Sequence, residues 1–256
     1  MRKNLISLTI AFFLLLPVKN FANEIYQITV YHFSDAAQEA ALDTYLQTAY
    51  LPALHRKQIK NIGVFKPLAN DTAKDKIIYI VIPFKKLNDI SGLQATLNKD
   101  AEYREAGKTF LNASYKEPPY TRMEKILVTA FELAPQMNLP KLNGDKKDHI
   151  YELRSYESPA DNYYASKVKM FNAGGEISIF KKLNFNGVFY GDVLAGSRMP
   201  NLMYLTCFDN MDERTKHWQS FSDDADVKKL FALEEYKNNV NKADIILMHA
   251  AAYSDY

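Results

Sequence analysis

Residues 24–33 (EIYQITVYHF) place Tyr26, Ile28 and Val30 on one side and Gln27, Thr29 and Tyr31 on the other. That period of two is the pattern of a strand. A related stretch, HIYELRSYES, recurs at 149–158. Each strand is followed by an apolar stripe at helical spacing, Leu42, Tyr45, Leu46 and Ala49 in one case and Tyr164, Val168 and Phe171 in the other. Ser34-Asp35 predicts the cap of the first helix, and Ser158-Pro159 the start of its counterpart. Both helices meet a breaker, Pro52 or Gly174-Gly175, which predicts a shared bend. Two strands follow in each case, at 61–68 and 76–84, then at 186–194 and 201–208. A second helical region is interrupted near Asn98-Lys99-Asp100 and Ser222-Asp223-Asp224, where short polar side chains can cap a new helix. Met211, Trp218 and Phe221 share a helical face expected to pack on the sheet. An apolar strand closes each run, MEKILVTAF or DIILMHAAAY.

The chain therefore reads as one plan written twice. Tyr26 aligns with Tyr151, Gly63-Val64-Phe65 with Gly187-Val188-Phe189, Tyr79 with Tyr204, Asp100-Ala101 with Asp224-Ala225 and Ile126 with Ile245. The repeats span 24–134 and 149–254, and the Pro- and Gly-containing stretch 135–148 reads as a linker. The order β-α-β-β-α-β, with its second helix split, predicts an α+β chain of two tandem ferredoxin-like domains. A four-stranded sheet with helices on one face leaves an apolar face bare. Two such sheets in one chain can cover each other as an intrachain dimeric α/β barrel. The alternative is two independent domains, each pairing with another molecule.

Composition narrows the setting. The chain has 256 residues, 47% of them hydrophobic and 24% charged, an ordinary globular balance. Arg2 and Lys3, the apolar run from Leu5 to Leu16 and the small residue Ala22 predict a signal peptide over 1–22 and a periplasmic or secreted protein. A bilayer-spanning helix needs about 20 apolar residues, so no stable membrane insertion is expected after cleavage; an uncleaved anchor is the alternative. Removing that segment takes away three basic residues and no acid, so the formal charge of +2 becomes −1. Nothing in that balance calls for nucleic acid or anionic membrane. The one cysteine, Cys207, excludes an internal disulfide and reads as a buried thiol.

Motifs for dinucleotides, P-loop phosphates, serine hydrolysis and zinc are absent from the sequence. His32, His55, His149, His217 and His249 have no metal-ligand spacing, so neither metal nor cofactor is expected. His249, on the last strand, is the one histidine placed to consider for haem, against ordinary core or rim packing. If Tyr26, Ile28 and Val30 face the helices, then Gln27, Thr29 and Tyr31 point between the sheets, together with Glu152, Arg154 and Tyr156. Tyr79 and Tyr204 could add hydroxyls to the same space. Glu152 and Arg154, two apart on one face, are either a self-neutralising structural pair or part of a ligand-binding patch for a carboxylate or phenol. For catalysis, Glu152 would be the base and Arg154 or Tyr156 the anion stabiliser. A scaffold acting through its helices or the 114–120 loop would instead have a filled interior.

The segments YELRSY, GVF, NLMYLTCFDNMDERTKHWQSF and AGKTFLNASYKEPPYTRMEKILVTAF resemble the NIPSNAP family in its exported, two-domain bacterial form, over about residues 24–252. The resemblance implies the dimeric α/β-barrel superfamily, which also holds cofactor-free monooxygenases, haem enzymes and small pocket proteins. It fixes no function. The expectation is a protein that binds a small molecule or a protein partner between its sheets and that admits an oligomer. The alternative is a cofactor-independent oxygenase or isomerase acting on a small aromatic or quinone-like substrate.

Overall fold

The structure, a computed structural model, describes residues 22–256, so the signal peptide expected over 1–22 lies almost wholly outside the described residues. Among the described residues no helix is long and apolar enough to cross a membrane. The first repeat comprises β1 (Ile25–Phe33), α1 (Ala36–Tyr45), a π-helical turn (Leu46–Tyr50), α2 (Leu51–Arg56), β2 (Gly63–Pro67), β3 (Lys76–Phe84), α3 (Leu87–Leu97), α4 (Ala101–Ala106), α5 (Lys108–Leu111) and β4 (Arg122–Ala130). The second comprises β5 (Ile150–Glu157), α6 (Asp161–Phe171), α7 (Glu176–Lys182), β6 (Asn186–Ala195), β7 (Asn201–Phe208), α8 (Met211–Asp223), α9 (Ala225–Ala232) and β8 (Lys242–Ala250).

Side-chain caps start four of the α-helices, three of them through an aspartate. Asp35 accepts from the Gln38 N–H at 2.9 Å, Asp100 from Tyr103 at 3.0 Å and Asp224 from Asp226 at 2.9 Å, each satisfying a donor the helix itself cannot. Ser158 is not a cap: Ala160 occupies that position, and the Ser158 hydroxyl donates to the Asn239 carbonyl at 2.6 Å. The interruption expected in both repeats takes a different form in each. Pro52 is the second residue of α2, and the π turn carries the chain into it without a break. Gly175, at φ 93°, does end the helical run and sets α7 at a new direction.

The eight strands form one closed barrel in the order β1-β3-β2-β8-β5-β7-β6-β4. Each repeat supplies four neighbours in the ferredoxin-like order. The two sheets hydrogen-bond edge to edge, through Phe65↔Ala250 and its neighbours on one seam and Val128↔Val193 and its neighbours on the other. Closure leaves no open edge. The interior is filled from both halves: Tyr26 meets Phe189 and Phe65 meets Tyr151, each pair with ring centroids 4.9 Å apart, above Leu205 and Met248. Cys207 is among these residues, and burial pushes its thiol well up. Each helical layer covers the outside of its own sheet, with Tyr45, Leu54 and Ile80 central to the first cluster and Phe171, Phe180 and Phe221 to the second. Trp218 and Phe221 pack there as expected, but Met211 remains exposed.

The faces are opposite to the sequence expectation. Tyr26, Ile28 and Val30, with Tyr151 and Leu153, fill the barrel. Gln27, Thr29, Tyr31, Glu152, Arg154 and Tyr156 alternate with them and lie on the helix side. Both sides of these strands are covered, so alternation cannot say which is which. The barrel takes the apolar face because an eight-stranded interior, away from its mouth, has no water for charge. Register also corrects the alignment. Tyr79 pairs with Val30 and Tyr204 with Arg154, whereas Met203 pairs with Ser155, the counterpart of Val30. Tyr79 therefore corresponds to Met203, not Tyr204, and by the same test Ile126 corresponds to Ile246, not Ile245. A slip of one residue exchanges the faces.

Because the packing crosses between halves, truncating Phe65 to Ala in the first repeat is expected to cost about 3–5 kcal/mol. The loss should appear in Trp218 fluorescence, a reporter in the second repeat, during denaturant unfolding; an unmoved Trp218 transition would mean that the halves unfold independently. Burial also raises the hydroxyl pKa of Tyr26, Tyr151 and Tyr204 above the ordinary value, and that of Tyr79 to about 12. The fold thus favours their neutral forms. That contribution is complete below the unfolded value of about 10 and is lost as pH climbs through the folded values. Stability measured by denaturant midpoints should be unaffected by these groups up to about pH 9 and fall above about pH 10, as tyrosinate absorbance grows.

Candidate functional site

Alternation along β5 directs Glu152, Arg154 and Tyr156 toward the helices, and Tyr204 lies beside Arg154 on β7. Asn210 caps α8 by accepting from the Glu213 N–H, which starts the helix so that Arg214 and Trp218, one turn apart, both reach the sheet. α6 brings Lys167, and α7, redirected after the Gly174-Gly175 break, brings Glu176 at its first turn. Arg154, Tyr156, Tyr204, Trp218, Lys167 and Glu176 border a cleft of about 640 Å³ between the sheet and the helices, with Phe221 and Phe231 adding apolar wall; Glu152 and Arg214 are not part of its lining.

Glu152 is completely buried and anchors the network. Its Oε1 accepts from Arg154 Nε at 2.5 Å; its Oε2 accepts from Arg214 Nε at 2.6 Å and Trp218 Nε1 at 2.9 Å. Arg154 Nη1 donates to the Tyr156 hydroxyl at 2.8 Å, which is 2.9 Å from the Tyr204 hydroxyl. The Arg154 guanidinium also lies 3.6 Å above the centre of the Trp218 ring, a cation–π stack. Burial alone would lower its pKa, but the Tyr204 and Tyr156 oxygens and the Glu152 carboxylate outweigh burial and keep it charged. Burial holds Tyr204 neutral. Lys167 donates to Glu176 at 3.0 Å, with its amine 4.8 Å from the centre of the Phe171 ring.

Three cations (Arg154, Arg214 and Lys167) thus face two carboxylates, Glu152 and Glu176. Arg154 Nη2 has no acceptor among the described residues, and 12% of the Arg154 side chain is exposed. The cleft can therefore supply a planar N–H donor and one uncompensated positive charge beside aromatic surface. Glu152 is fully buried, held by three donors and absent from the cleft lining, so the geometry does not suit it to the role of base; Arg154 and Tyr156 remain placed to hold an anionic oxygen.

The structure thus brings together four of the expected residues, Glu152, Arg154, Tyr156 and Tyr204, but outside the barrel. The first-repeat counterparts do not join them. Gln27 and Thr29 are buried and bonded to each other at 3.1 Å, and Tyr31 packs against Tyr120 at 5.1 Å. Tyr79 lies inside the barrel. Sequence reasoning missed Arg214, Lys167 and Glu176. The available signals were an arginine one turn before Trp218 and a lysine inside the stripe of Tyr164, Val168 and Phe171. His249 lies off the interior face, its Nδ1 bonded to the His149 carbonyl at 2.9 Å, which is the rim-packing alternative. Among the described residues no three His, Cys, Asp or Glu side chains cluster to hold a metal.

Comparison with known proteins gives a domain match and a fold. Residues 151–255 match the NIPSNAP family model. None of the curated proteins matches. A protein from Lactobacillus acidophilus NCFM, provisionally described as a monooxygenase, superposes with a TM-score of 0.57 at 10% identity, covering 89% of this chain and 94% of its own. A second, from Fusobacterium nucleatum subsp. nucleatum ATCC 25586 and described in the same way, gives 0.55 at 10% identity, covering 90% and 93%. A NIPSNAP family protein from Agrobacterium tumefaciens str. C58 covers 46% of this chain and 98% of its own at 14% identity, with a TM-score of 0.37. At these identities the likeness shows the fold alone, the dimeric α/β barrel, here made by one chain. The charged cleft lies within the matched segment, and the chain carries a NIPSNAP domain at residues 151–255.

Proposed function

We propose that the protein binds a small molecule bearing a carboxylate or phenolate oxygen, in the cleft between the sheet and helices of the second repeat. The observation that carries this reading is Arg154: its side chain lines the cleft and its Nη2 has no acceptor among the described residues, while Glu152, its partner, is shared with Arg214. A buried network with one cation in excess is stabilised by an anion that accepts the remaining N–H. The cleft volume of about 640 Å³ falls in the range of small-molecule sites. The basic and apolar N-terminal pattern supports a periplasmic or secreted setting.

The aromatic walls (Tyr156, Trp218, Phe221 and Phe231) favour a second reading, a cofactor-independent oxygenase or isomerase acting on a small aromatic or quinone-like substrate. The relatives described as monooxygenases lend it a fold-level analogy only. It needs a base other than Glu152.

Thermal-shift titration with benzoate and 4-hydroxybenzoate tests the site. Either probe at about one hundred times its Kd should stabilise the protein by about 2.7 kcal/mol. Arg154→Leu should abolish that shift, and Thr29→Val, at the equivalent strand position of the first repeat, should leave it intact. A shift that survives Arg154→Leu, or its absence with both probes, would sink the reading. Oxygen uptake on adding either probe would favour the oxygenase. Glu152→Gln leaves two guanidinium groups without their carboxylate and is expected to cost about 3–5 kcal/mol in denaturant unfolding.

A further inference from the structure

A second cavity, of about 90 Å³, opens at one end of the barrel and is built by both repeats. Its inner wall is apolar, with Val30 and Ile126 from the first repeat and Met203 and Ile246 from the second. Two hydroxyls interrupt that wall. Tyr79 is 8% exposed, and its hydroxyl has no hydrogen-bond partner among the described residues. Tyr79 shares the cavity lining with the charged residues Arg122, Glu124 and Arg198. Ser155, 4% exposed, accepts from Asn201 Nδ2 at 2.8 Å, and its own O–H has no acceptor. Asn201 Oδ1 beside it is buried without a donor. Asn201 Oδ1 is an acceptor and stays outside this pairing; the Tyr79 and Ser155 O–H groups are donors whose bonds an incoming acceptor oxygen would complete.

The rim carries charge, but the charge is already paired. His32 Nδ1 meets Asp75 at 2.9 Å, Arg122 meets Glu124 at 2.7 Å and Arg198 meets Asp244. A charged ligand would have to break one of these pairs or bring an uncompensated charge against apolar wall. An uncharged oxygen acceptor would meet two hydroxyl donors and an apolar lining of small volume.

We propose that this mouth is a second ligand site, taking a short-chain uncharged molecule through its carbonyl oxygen, held by Tyr79 and Ser155. It is independent of the charged cleft: the two share no lining residue, and the cleft belongs to one repeat whereas the mouth needs both.

Butanone, with butyrate as the charged comparator of the same chain length, tests the site in ligand-observed NMR titrations of the full chain. Butanone should bind, at least tenfold more tightly than butyrate. Tyr79→Phe, which keeps the ring and loses the hydroxyl, should weaken butanone about tenfold. Ser155→Ala should weaken it to a similar degree, and Arg154→Leu should leave it unchanged. Trp218 fluorescence reports whether each variant is folded; if Tyr79→Phe is not, Ser155→Ala and the butyrate comparison decide. No butanone binding, binding indifferent to both hydroxyl variants, or butyrate binding as tightly as butanone would each overturn the proposal. Loss of butanone binding in Arg154→Leu would place the ligand in the cleft and overturn it as well.

Discussion

The structure depends on the closure of two four-stranded sheets into one barrel. Each ferredoxin-like half has a problem on two fronts: an apolar face that its helices do not cover, and a pair of edge strands with unpaired backbone groups. The β2–β8 and β4–β6 seams solve both at once, because edges that hydrogen-bond to each other also bring the two bare faces together. The result is an interior of interlocking rings and aliphatic groups from both repeats. Neither half could hide that surface by itself.

Closure then dictates where polarity can go. Deep in the barrel, away from its mouth, a carboxylate or guanidinium would lose its hydration with nothing to replace it. The helix side offers partners and a route to water, and there Glu152 meets two arginines and an indole N–H. Equivalent geometry in the first repeat holds different chemistry. Gln27 and Thr29 bond to each other, and the layer above them is filled by Tyr45, Tyr103 and Phe110, with the two tyrosine hydroxyls 2.8 Å apart. One backbone plan thus supports a packed aromatic layer in one repeat and a charged cleft in the other. The helix breaks differ to match: the π turn lets α1 run on into α2, while Gly175 redirects α7 and sets Glu176 against Lys167.

Local chemistry made much of this legible. Strand and helix positions follow from periods of two and of helical spacing. The caps at Asp35, Asp100 and Asp224 follow from short acidic side chains, and the βαββαβ order from the repeat itself. Glu152, Arg154, Tyr156 and Tyr204 were identifiable because charge and hydroxyl on an otherwise apolar strand must be satisfied somewhere. Arg214, Lys167 and Glu176 were not, because each is an ordinary surface residue type until a neighbouring element covers it.

The sequence by itself determined the elements, their duplication and the set of polar residues on β5, since all three are properties of short stretches of chain. Only the tertiary structure decided which face of each strand is inside. Both faces are buried, one by the opposite sheet and one by helices, so alternation carries no sign. A one-residue slip in aligning Tyr79 with Tyr204 was enough to put a barrel residue and a cleft residue on the same side. What breaks the symmetry is long-range: the interior, away from its mouth, excludes water and selects the apolar face, leaving the charges to the layer that water can still reach.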